Sequence, residues 1–230
     1  MAEHRPTRSA APLVDTVLVS VRGLGRTWSW AATEDEIRER REHVAQLVGQ
    51  RLASVRYYTI DYEREDVAPD LIDRGPRLVE DDAEWAAPTW RFDGFDALDF
   101  GIELETESGE LWSLTWDPPG IHEGIGIRSG GMLGSGVRDD ADVAIWEVTS
   151  RPSPWEDFSS GEVCEVSLHY FPWDTKRSGF WCPHITLHST ASCTDIVMGD
   201  SDRQGGMFPS ADNVAVLRGM PLPSWVPSDG

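Results

Sequence analysis

Leu98-Asp99-Phe100-Gly101-Ile102-Glu103-Leu104-Glu105 sets large apolar residues against acidic residues and one glycine with a strict period of two. Successive side chains of a strand point to opposite faces, so this run is a strand with one face buried. Ser108-Gly109 turns the chain, and Glu110 to Trp116 (ELWSLTW) returns beside it as a hairpin. Ile125 and Ile127 add a short strand. Upstream, Val14 to Val21 (VDTVLVSV) and Arg51 to Ile60 (RLASVRYYTI) are rich in β-branched and aromatic residues and read as strands. Between them Thr33-x-x-Glu36 is a capping box. It opens a helix with Ile37, Val44, Leu47 and Val48 on one side, closed by Gly49.

From Val143 the order starts again. VAIWEVT is a strand, Ser153-Pro154-Trp155-Glu156 is a second capping box, and Glu162 to Tyr170 is a strand. Pro183 to Ser189, Thr194 to Met198 and Val214 to Leu217 follow. Leu52, Val55 and Tyr57 map at one constant offset onto Val163, Val166 and Leu168. Ile102 and Leu104 map at another onto Ile185 and Leu187, with Asp117 onto Asp200 in the same frame. The expected architecture is a β-rich α+β protein of two related β-meander halves (strand, capped helix, strand, hairpin, strand). Burying their apolar faces together gives one shared core, as a sandwich or a continuous sheet. The expected parts are a flexible N-terminus over 1–12, a first half over 13–137 with an acidic insertion at 61–96, a second half over 138–218, and a Pro-rich tail over 219–230.

Forty acidic residues oppose 20 basic ones, a formal net charge of -20. Such a surface repels phosphate backbones and anionic lipid, which argues against direct nucleic-acid and membrane binding. It attracts basic proteins and speeds their encounter. The three cysteines do not form a secreted disulfide framework, and no segment reads as a signal peptide or a span, so the expected compartment is the cytoplasm. The sequence leaves the oligomeric state open.

The insertion is the most function-like segment, because long loops in compact domains are functional or disordered. Tyr62, Asp66, Asp70, Asp73, Asp81, Asp82, Glu84, Trp85 and Trp90 form the candidate partner-binding set, aromatic anchors amid negative charge. A solvated variable loop has the same composition. Cys182, His184 and His188 share one face of an extended strand, and thiolate and imidazole are zinc ligands; the residue spacing of a zinc finger is absent. Asp99, Glu103 and Glu105 occupy the outward face of the strand quoted first, where a solvated sheet looks the same. Gly124-x-Gly126-x-x-x-Gly130-Gly131 lacks the Lys and Ser/Thr of a phosphate loop. No G-x-S-x-G, H-E-x-x-H or C-x-x-C occurs, and no catalytic residue stands out. The leading expectation is a non-enzymatic binding protein for a basic protein, such as an immunity or inhibitor protein facing a toxin. A metal-dependent protein using the Cys/His cluster and a structural subunit of a larger assembly are the alternatives.

Overall fold

The computed structural model describes residues 28–64, 75–116, 124–149, 151, 153–174 and 177–227. The strand expected at Val14 to Val21 lies outside them. The chain runs through β1 (Trp30–Ala31), α1 (Glu34–Val44), β2 (Leu52–Ile60), β3 (Arg77–Leu78), α2 (Asp82–Ala86), β4 (Phe95–Leu98), β5 (Gly101–Thr106), β6 (Leu111–Trp116) and β7 (Ile125–Ser129). It continues through β8 (Val143–Glu147), α3 (Glu156–Ser160), β9 (Val163–Asp174), β10 (Arg177–Ser189), β11 (Cys193–Met198), β12 (Asp200–Ser201), β13 (Met207–Phe208) and β14 (Val214–Leu217).

Two six-stranded sheets result. The first has the order β3-β8-β2-β5-β6-β7; in the second, β1-β10-β11-β14-β4 form the path and β9 joins β10. Their inner faces meet in one core, with Val55, Ile102, Leu104 and Leu114 from the first sheet against Leu168, Ile185, Leu187, Ile196 and Val214 from the second. The protein is thus β-rich α+β with its sheets packed on one another.

Both sheets contain an antiparallel meander with matching register. Val55 faces Leu104 and Tyr57 faces Ile102 in the first. Val166 faces Leu187 and Leu168 faces Ile185 in the second. Arg51 and Glu162, which precede β2 and β9, bridge to each other, and the Val163 N–H donates to Gln50 O at 2.8 Å. The sheets do not divide at residue 137, however. β8 lies beside β2, while β1 lies beside β10 and β4 beside β14. Elements from either side of that boundary are therefore exchanged between the sheets.

The quoted run is where the chain changes sheets. Instead of one continuous strand it breaks at Asp99–Phe100, leaving Leu98 in the second sheet and starting again at Gly101 in the first. Gly101 has a φ of 141°, and a Cβ there would collide with the Leu114 carbonyl, so the corner requires glycine.

Local signals at α1 behave as the capping box implies. Thr33 Oγ1 accepts from Glu36 N at 3.2 Å, while Glu36 Oε2 accepts from Ala32 N at 2.9 Å, one residue earlier than the ideal box. Gly49, with φ 83°, lets the chain leave the helix. Val48 is 44% exposed rather than on the buried side, because a 3-10 turn over Ala45–Leu47 rotates it outward. The second box shifts as well. Ser153 Oγ accepts from Trp155 N and donates to Val148 O, and the helix starts only at Glu156.

Candidate binding cleft

The corner at Asp99–Phe100 opens a cleft of about 260 Å³ on one edge of the sandwich. Tyr62, just past β2, and Phe92, just before β4, line it together with Trp90. Asp99, Asp200 of β12 and Asn213 supply its polar wall. Phe92 stacks on Phe95 at 5.3 Å, which ties that wall to β4. Tyr62 is 41% exposed, and its hydroxyl donates to Asp99 Oδ1 at 2.9 Å. The Ile60 N–H donates to the other Asp99 oxygen at 2.9 Å, and the Ser201 N–H donates to Asp200 Oδ1 at 2.6 Å.

Both carboxylates are pushed above the ordinary range. Burial is the main cause at Asp99, and the negative charge of Asp200 adds to it. Burial also leads at Asp200, with Asp212 adding repulsion. Two partly desolvated carboxylates near each other, walled by aromatic rings, gain from a neutralising cation.

The candidate partner-binding residues separate sharply. Tyr62 lines the cleft, whereas Asp66, Asp70 and Asp73 lie outside the described residues. Asp81 is the N-cap of α2, its carboxylate accepting from Ala83 N at 2.8 Å. Glu84 grips Arg77 through two hydrogen bonds of 3.0 and 2.7 Å, and Arg77 also holds the buried Asp61. Asp82 is open, with a 95% exposed side chain 3.7 Å from Arg151.

Trp90 and Trp85 both pack into the core. Trp90 is 2% exposed and packs edge-on against Tyr57, Trp85 and Trp146. Trp85 is half-buried, donates to Val79 O at 3.0 Å and carries the Arg151 guanidinium over its ring. The described part of the acidic insertion therefore seals one end of the sandwich. A long, charge-rich segment hid this role because its two tryptophans are not in a periodic pattern.

The Cys182, His184 and His188 cluster is not assembled. β10 is irregular between Trp181 and His184, so Cys182 turns to the same side as Ile185 and Leu187 and joins the core. Its thiol is fully buried, and burial pushes it up to about 12. Among the described residues no three His, Cys, Asp or Glu side chains are arranged to hold a metal ion, so zinc has no support from this cluster. His184 instead lies 2.8 Å from Asp195 and stacks at 4.2 Å on His169, with the Thr186 hydroxyl between them. The His184 contact is the main reason the Asp195 carboxyl sits below its usual range.

The outward face of β5 is covered rather than solvated. Arg56 bonds Glu103 at 2.8 Å and Glu105 at 2.6 Å, and the Gly-rich segment folds over Glu103, which accepts from Met132 N. Five amide N–H groups of that segment, from Gly130 and residues 134–137, are spent on backbone carbonyls, leaving no phosphate cradle. Asp200, Asn213 and Phe92 are among the cleft residues that sequence reasoning missed. Asp200 carried one signal, its match to Asp117 across the repeat, but nothing local joined it to Asp99.

The cleft is thus acidic and walled by aromatic rings. Comparison with protein-family models, with curated proteins and with solved structures finds no match for this chain. Among the described residues no helix is long and apolar enough to cross a membrane.

Proposed function

We propose that this chain is a non-enzymatic binding protein that engages a basic protein partner through the acidic cleft and the charged surface around it. The observation that carries the proposal is the placing of Asp99 and Asp200, both held above the ordinary carboxylate range by burial, in a cleft walled by Tyr62, Trp90 and Phe92. A net charge of -20 steers a basic surface toward it. An inhibitor or immunity protein that covers the basic active-site cleft of a toxin is the concrete form of this reading. The same reading places the protein in the cytoplasm, in keeping with its three free thiols. It also treats the two register-matched meanders as related halves of one duplicated unit.

The test is affinity capture from the native cell with the wild-type chain and with Asp200→Lys. A basic protein retained only by the wild type, with an association rate that falls as salt rises, is the expected result. Capture of the same proteins by both chains, with no salt dependence, overturns the proposal.

A further inference from the structure

A second cleft, of about 230 Å³, adjoins the acidic one. The segments at 198–201 and 209–213 stand between them. Asp200, Ser201 and Asn213 face the acidic cleft, while Met198, Pro209, Ser210 and Ala211 face the second. The other walls of the second cleft are Trp181, Pro183, Trp225 and Val226. Trp181 is braced edge-on by Trp173 at 5.3 Å, and Trp225 packs on the apolar cluster of Phe95, Ala97 and Leu217. The Trp225 indole N–H is buried without an acceptor.

Two tryptophans and two prolines make a groove of flat, rigid apolar surfaces. Surfaces of this kind fit the polyproline II conformation, whose backbone has no internal hydrogen bonds and presents its carbonyls outward. The charge of the adjoining cleft decides what lies beside the prolines. Resting on the reading of the acidic cleft given above, we propose that the two clefts form one surface for an extended, proline-containing basic segment of the partner. An arginine or lysine side chain of that segment enters between Asp99 and Asp200. Its prolines lie on the rings of Trp181 and Trp225.

A phage-displayed library of random 12-residue peptides, panned on the full chain, tests this. Enrichment of peptides with Arg or Lys and, within a few residues, proline is expected. Selected peptides should lose about tenfold in affinity when proline becomes alanine, and about as much when the basic residue becomes alanine. Trp225→Ala removes one of the two flat indole walls of the groove. It should weaken the selected peptides several-fold while leaving the circular dichroism spectrum unchanged. Enrichment of basic peptides without proline overturns the two-cleft surface and leaves the acidic-cleft reading standing. Enrichment of proline peptides without a basic residue, or of no sequence class, overturns both the segment and its placement. Equal binding to wild type and Trp225→Ala overturns the placing of the prolines in the second cleft.

Discussion

Asp96→Asn should change how stability depends on pH, in a direction opposite to that of an ordinary ion-paired aspartate. The Asp96 side chain is completely buried where the sheets meet, on β4. It accepts from the Tyr57 hydroxyl at 3.1 Å, and that hydroxyl in turn accepts from Trp155 Nε1 at 2.8 Å. Arg218 Nε approaches to 2.9 Å and Arg91 Nε to 3.9 Å, but neither forms a well-aligned hydrogen bond to Asp96 Oδ1. Charge attraction without good bonding does not offset the lost hydration, so burial raises the carboxyl to about 6. The folded pKa then lies above the unfolded one, and between the two the native state binds the extra proton. Stability from this group therefore increases as pH falls through the folded pKa. Integrating from pH 7 to pH 5, with the unfolded carboxyl ionised throughout, gives a gain of about 1.3 kcal/mol for the wild type. Urea unfolding of wild type and Asp96→Asn at both pH values isolates this contribution, since other titrating groups are common to both. If the wild type fails to gain on the variant between pH 7 and pH 5, or loses ground, Asp96 is a firmly ionised ion-pair partner and the reasoning is wrong.

Trp90→Ala should cost about 3–5 kcal/mol of unfolding free energy, the range for emptying a buried aromatic site; unchanged stability in thermal or urea unfolding would return Trp90 to the surface. A thiol reagent should label two cysteines rapidly in the native state and all three after denaturation, because Cys164 and Cys193 are exposed while Cys182 is buried. Three equally fast thiols would contradict the placement of Cys182. The affinity of the acidic cleft for a basic peptide should fall by on the order of tenfold between pH 7 and pH 4. The loss should begin above the pH of an ordinary aspartate, because the raised pKa values of Asp99 and Asp200 neutralise them early. Calorimetric titration across that range checks it, and a flat profile would exclude these carboxylates from binding.

The strands and α1 were legible because each announces itself locally. The alternation of Ile102 and Leu104, the Ser108-Gly109 turn and the Thr33/Glu36 box all act within a few residues. The sheet change at Asp99–Phe100 was not legible, since a strand bent at a glycine corner keeps its period of two on both sides of the bend. Cys182 was misplaced for a related reason, as an irregularity in β10 reverses the facing of a residue without altering composition. The cleft was the least legible part. Its walls come from residues near 62, 92, 99 and 200, which only the exchange of strands between sheets brings together.

That exchange has a consequence for how the chain is made. Among the described residues β1 has no strand partner until β10 exists, and β4 none until β14 does. During synthesis both must wait while more than a hundred residues follow. Such long-range closure slows folding and leaves apolar strand edges uncovered in the interval. Early collapse should be confined to β2, β5, β6 and β7, whose pairings are comparatively local. The acidic cleft, built across the late joint, is among the last features to form. A ribosome-bound chain lacking β14 would carry the first meander but not the site.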